Sequence, residues 1–147
     1  MYIKDTMRVV LDTNALIASF STESSSYEVW RGLREGRYTL CVTNEILWEY
    51  QEIIARKTTP QIAENLVDYL IHSRFVERVQ VYYHFELITA DHDDNKFVDC
   101  AIAANATYIV SNDKHFRPLQ FIDYPKLAIL ELMEFVQILR ENQDKTI

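Results

Sequence analysis

VVLDTNALIASF, residues 9–20, opens with the text of a buried strand and then changes character at Asp12, Thr13 and Asn14. With Arg8 in front, RVVLD reads as a strand of a parallel sheet, because strands covered on both faces appear as near-continuous apolar runs. A carboxylate at the end of such a run adds nothing to a core. In open parallel sheets, however, ligands bind beyond the carboxyl ends of the strands. Asp12 stands at that place.

The following segments repeat the alternation of strand and helix. STESSSY (21–27) is a polar loop leading into a helix with Tyr27, Trp30, Leu33 and Arg34 at helical spacing, and Gly36 stops it. YTLCV (38–42) is a second strand. Thr43 or Asn44 can cap the helix NEILWEYQEIIARK, whose Ile46, Leu47, Tyr50, Ile53 and Ile54 share one apolar face. Thr58, Thr59 and Pro60 break the chain and begin PQIAENLVDYLIHSR, with Ile62, Leu66, Tyr69 and Leu70 expected inside. FVERVQVYY (75–83) reads equally as a strand or as an extended connection to an acidic loop at 89–95. NKFVDCAIAANA is then a helix, TYIVSND a strand with polar residues at its tip, and YPKLAILELMEFVQILRE a short strand followed by a helix. This order predicts an α/β fold, a parallel sheet covered by helices on both faces.

Composition sets the outer limits. A chain of 147 residues with 48% hydrophobic residues, 2 Gly and 3 Pro is expected to form one compact domain over residues 1–147. Cys41 and Cys100 lie in core-type segments and are expected to be buried free thiols of a reducing compartment. MYIKDTMRVV lacks the apolar run of a signal peptide and no 18-residue apolar stretch exists, so a soluble cytoplasmic protein is expected. Fifteen Lys and Arg against 22 Asp and Glu give a formal charge of −7. That excess argues against binding duplex nucleic acid through charge alone, but not against an enzyme that meets nucleic acid through bound cations.

Such an enzyme concentrates carboxylates, and this sequence does. VVLDTN finishes on Asp12 and YIVSND on Asp113, so two strand ends carry an acid. DHDDNKFVD crowds Asp91, Asp93 and Asp94 into one loop and adds Asp99 on the helix beyond. Crowding of like charge costs stability unless a cation or solvent relieves it. Glu45 and Glu49 lie one turn apart just past the second strand. Glu45 suits helix capping, which leaves Glu49 the stronger site candidate and Glu45 its competitor. Carboxylates from separate segments without a Cys- or His-rich cluster suit Mg²⁺ or Mn²⁺. His72, His84, His92 and His115 are scattered, no zinc pattern occurs, and no glycine-rich phosphate loop is present.

Together VVLDTNALIASF, TNEILWEY and DHDDNKFVDCAIAANATYIVSNDKHF, with the final strand and helix, resemble the PIN domain family over residues 8 to about 135. The branch they resemble is the toxin component of toxin–antitoxin systems, relatives of VapC ribonucleases. The resemblance implies a three-layer α/β/α fold around a parallel sheet of about five strands. It implies a Mg²⁺- or Mn²⁺-dependent endoribonuclease acting on single-stranded or structured RNA, with a small antitoxin as partner. Carried over by position, it implies catalytic roles for Asp12, Glu49, Asp94, Asp99 and Asp113, with Asp12, Asp94, Asp99 and Asp113 as metal ligands. Asn14 would support Asp12 and Ser111 the last acid. Basic residues such as Arg56, Lys57, Lys114 and Arg117 are candidates to grip flanking phosphates. Tyr27, Trp30, Tyr82, Tyr83 and Phe85 are candidates for a homodimer or antitoxin face.

Two other readings compete. A catalytically silent domain of the same fold, used only for protein interaction, would fold without affinity for divalent ions. A phosphoacceptor receiver domain would need an early acidic pair and a late strand-tip Lys, and Asp5 and Lys126 are poorly placed for both.

Overall fold

The computed structural model describes residues 6–89 and 91–144; Asp5 lies outside the described residues. Five strands form one parallel sheet: β1 (Arg8–Leu11), β2 (Thr39–Val42), β3 (Val76–Arg78), β4 (Tyr108–Val110) and β5 (Ile129–Leu130). Their order across the sheet is β3-β2-β1-β4-β5. The chain therefore builds outward from β1 to one edge, then returns to the other side of β1. The switch point falls between β1 and β4, where Val9 pairs with Tyr108 and Leu11 with Val110. Ligand crevices in open sheets lie at such a reversal.

Among the described residues six α-helices complete the three α/β/α layers: α1 (Thr13–Ala18), α2 (Tyr27–Arg34), α3 (Asn44–Lys57), α4 (Pro60–His72), α5 (Asn95–Ala104) and α6 (Leu132–Asp144). Side-chain oxygens fix three of their starts. Asp12 Oδ1 accepts the Ala15 N–H at 2.8 Å, Thr43 Oγ1 the Ile46 N–H at 3.1 Å, and Thr59 Oγ1 the Ile62 N–H at 3.1 Å. Each such cap contributes ~1 kcal/mol. Gly36 turns the chain after α2 with φ +73°, and a Cβ there would lie 2.4 Å from the Phe75 ring, so both conformation and space demand glycine. Asn105 closes α5 in the left-handed region at φ 52°.

The core joins the sheet to the inner helix faces. Val9, Val10, Leu11, Leu40, Val42, Ile109 and Val110 are buried from the strands, with Ile46, Leu47, Tyr50 and Ile54 from α3. Buried tyrosines keep their hydroxyls satisfied: Tyr50 donates to the Leu11 carbonyl and Tyr38 to that of Val29, each at 2.6 Å. Cys41 and Cys100 are buried free thiols, and burial pushes both thiol pKa values up. Among the described residues no helix is long and apolar enough to cross a membrane.

One sequence expectation, the inner face of α4, needs correction. The inner stripe of α4 is Ala63, Leu66, Val67 and Leu70, while Ile62 and Tyr69 are exposed, because the helix seats one residue further round than its largest apolar side chains suggest. The ambiguous run at 75–83 is a strand only over Val76–Arg78 and irregular afterwards. At the end of β1, Asp12 caps the helix α1 that follows it at once.

Candidate functional site

The site is built around two adjacent strand ends. Asp12, only 7% exposed, directs Oδ1 to the N–H of Ala15 and receives the Ser111 hydroxyl on Oδ2. Ser111 Oγ in turn accepts the Asp113 N–H at 2.9 Å. One hydroxyl thus couples the tip of β1 to the tip of β4. Burial pushes the Asp12 pKa up against the lowering effect of the Ser111 and Ala15 bonds, and the charges of Asp113 and Glu49 add to the rise. A buried carboxylate surrounded by like charge is a place where a cation is favoured.

The acidic loop approaches the same edge. Asp113 starts a 3₁₀ segment, Lys114–Phe121, by accepting the His115 N–H at 2.9 Å. The His115 ring Nδ1 lies 3.3 Å from Asp113 Oδ1 and 3.4 Å from Asp94 Oδ2. Burial, opposed by the His115 hydrogen bond and reinforced by Asp113 and Asp91, pushes the Asp94 carboxyl up to about 6. Asp91, Asp94 and His115 each offer a ligand atom, and these atoms lie within 4.8 Å of one another. This donor set of carboxylate oxygens and one imidazole nitrogen could hold a divalent cation.

Glu49 and Glu45 are separated by the turn of α3 between them. Glu45 is exposed, whereas Glu49 receives the Thr13 hydroxyl on Oε2 and faces Lys96 Nζ at 2.7 Å on Oε1. Burial of Lys96 works against its charge, yet Glu49 and Asp93 hold its pKa above the usual lysine value. Lys96 had no role in the sequence reading.

Asp94 and Asp99 are parted in the same way. Asp99, 3% exposed, accepts the Phe85 N–H at 3.1 Å and lies 3.1 Å from His84 Nδ1. The buried Asn95 amide clasps Ile88, accepting its N–H at 2.8 Å and donating to its carbonyl at 2.9 Å. Both side chains fasten the irregular segment after β3 onto α5. Asn14 is also placed differently from its expected role: it is exposed, with Oδ1 3.4 Å from Lys57 Nζ, and Asp12 is held by Ser111 and Ala15 instead.

A cavity of about 420 Å³ lies beside these acids, walled in part by Thr43, Asn44, Glu45, His84, Lys96 and Asp99. Asp12, Asp94 and Asp113 are not among its walls, so it borders the acid cluster through Lys96. Two of the basic candidates are engaged elsewhere, Arg56 with Glu52 and Arg117 with Glu131. Of the aromatic candidates, Tyr82 and Tyr83 are exposed, while Trp30 packs between Phe20 and Tyr69. Trp48, 81% exposed on α3, was not foreseen as a surface aromatic.

Comparison with known proteins agrees with this architecture. A family model described as PIN domain matches residues 8–115, a span that contains Asp12, Glu49, Asp94, Asp99 and Asp113. Among solved structures, VapBC2 from Rickettsia felis bound to a DNA fragment from its promoter is similar with a TM-score of 0.59 and 20% identity, over 85% of this chain and 98% of that one. DNA-bound VapBC from Salmonella typhimurium has a TM-score of 0.56 and 17% identity, over 86% and 99% of the two chains. The RRP44 PIN domain of T. brucei has a TM-score of 0.52 and 14% identity, over 95% and 84%. No match is found among proteins of curated function.

Proposed function

The chain belongs to the PIN domain family, and from that membership we propose that it is a metal-dependent endoribonuclease, the toxin of a toxin–antitoxin pair. The observation that carries the reading is the Ser111 link, which brings the buried Asp12 and the more open Asp113 to one edge at the switch point of the sheet. Asp94 joins them through His115, which lies against both Asp94 and Asp113.

Asp12, Asp94 and Asp113 would hold a Mg²⁺ or Mn²⁺ ion, with Asp91 and His115 at its side. When bound, such an ion supplies Lewis acidity, lowering the pKa of a water and stabilising charge on phosphoryl oxygens. The protein's own groups do the positioning. Ser111 and the start of α1 hold both oxygens of Asp12 in place, so that little rearrangement is needed when charge arrives. Glu49, held by Thr13 and Lys96, lies close enough to Asp12 for its charge to act on that carboxyl. Asp99 supports the site indirectly by holding the segment around His84 and Phe85.

The fold likeness to VapBC assemblies supports an antitoxin as partner, and the formal charge of −7 favours one with a basic segment. Incubating the purified protein with single-stranded RNA in Mn²⁺ tests the reading. Cleavage that ceases with a chelator and returns with Mn²⁺ is expected; intact RNA at millimolar Mn²⁺ would favour the silent interaction domain.

A further inference from the structure

An ammonium group is built into this acidic edge. Lys96 sits in the first turn of α5, where the helix dipole favours acids over bases, and its side chain is only 13% exposed. Placing a charge there costs desolvation and needs a strong partner. Its partners are Glu49 at 2.7 Å, itself 19% exposed, and Asp93 at 3.4 Å. Glu49 is thereby fully engaged, one oxygen by the Lys96 ammonium and the other by the Thr13 hydroxyl.

Two-metal phosphodiesterases spread their carboxylates over two cations a few ångströms apart. Here the carboxylates also divide into two sets: Asp12, Asp94 and Asp113 with the His115 ring among the last two, and Glu49 with Asp93 around Lys96. We infer that Lys96 stands in the place of a second metal ion, so that the site takes one divalent cation and Glu49 is neutralised by the chain itself. The inference rests on the metal-site reading above. Lys96 also lines the neighbouring cavity.

Calorimetric titration with Mn²⁺ alone, without RNA, tests this on the full chain. The parent protein is expected to bind one Mn²⁺. Lys96→Met keeps the aliphatic stem but leaves Glu49 unpaired, and is expected to bind two; Lys96→Met with Glu49→Gln should return to one. If Lys96→Met does not fold, Glu49→Gln alone decides: the single site should keep its affinity within about fivefold, the scale of a screened neighbouring charge. Two ions in the parent, one ion in a folded Lys96→Met, or a Glu49→Gln variant that loses the single site would each overturn the inference. A parent that binds no Mn²⁺ overturns the metal-site reading itself, and so is told apart from a failure of this inference alone.

Discussion

The Ser111 hydroxyl donates to Oδ2 of Asp12, joining the ends of two neighbouring parallel strands through a side chain that is itself buried. The same oxygen accepts the Asp113 N–H, so a single serine sets the relative position of two acids from opposite sides of the switch point.

Ser111→Ala should therefore damage both stability and the site. It removes the one side-chain donor on Asp12 Oδ2 and leaves a buried carboxylate oxygen without that partner. Such losses cost ~1–3 kcal/mol. Urea unfolding should show this destabilisation without metal, and Mn²⁺ should bind more weakly than in the parent. An unchanged unfolding midpoint would show that the bond carries no weight.

Asp12→Asn separates folding from function. Burial and the charges of Asp113 and Glu49 make the ionised form of Asp12 unfavourable in the folded protein. The amide keeps an acceptor for the Ala15 N–H and relieves the repulsion, so the metal-free variant should be at least as stable as the parent. RNA cleavage should fall by ~100-fold or more, as expected when a metal-supporting group is lost. Wild-type cleavage rates would remove Asp12 from the mechanism.

Asp94 gives the pH dependence its sign. Its folded pKa, about 6, lies above the ordinary 3.8. Between those values the folded state binds the proton more tightly than the unfolded state, so this group adds stability as pH falls from 7 toward 4 and removes it as pH rises through 6. A cation competes for the same carboxylate. The rise in Tm produced by Mn²⁺ should thus be large at pH 7.5 and small at pH 5, and Asp94→Asn should weaken that difference. An equal Mn²⁺ effect at both pH values would exclude Asp94 from the binding site.

The strands and long helices were legible because each is specified locally. Asn44–Lys57 is bounded by the Thr43 cap and the break at Thr58 to Pro60, and its apolar spacing buries Ile46, Leu47, Tyr50 and Ile54. The acids at the strand ends could be found for the same reason, since an apolar run that stops on Asp is visible in one dimension. What was not legible depends on contacts between distant segments. Asp94 and Asp99 are five residues apart and equivalent by composition, but Asp99 faces Phe85 and His84 while Asp94 faces His115. Lys96 meets Glu49 from 47 positions away, and no spacing rule connects them. The offset inner face of α4 has a related cause, because Ile62 and Tyr69 obey helical periodicity yet Ala63 and Val67 are the residues turned inward when the helix packs.

The proposed site is a single cation held by Asp12, Asp94 and Asp113. A crystal of the protein soaked in Mn²⁺ and measured at the manganese absorption edge decides whether it forms. An anomalous peak is expected at the carboxyl edge between β1 and β4, with oxygens of Asp12, Asp94 and Asp113 toward it and ligand distances of roughly 2.1–2.3 Å. A peak held only by Asp91, Asp94 and His115, with Asp12 and Asp113 turned away, would contradict it.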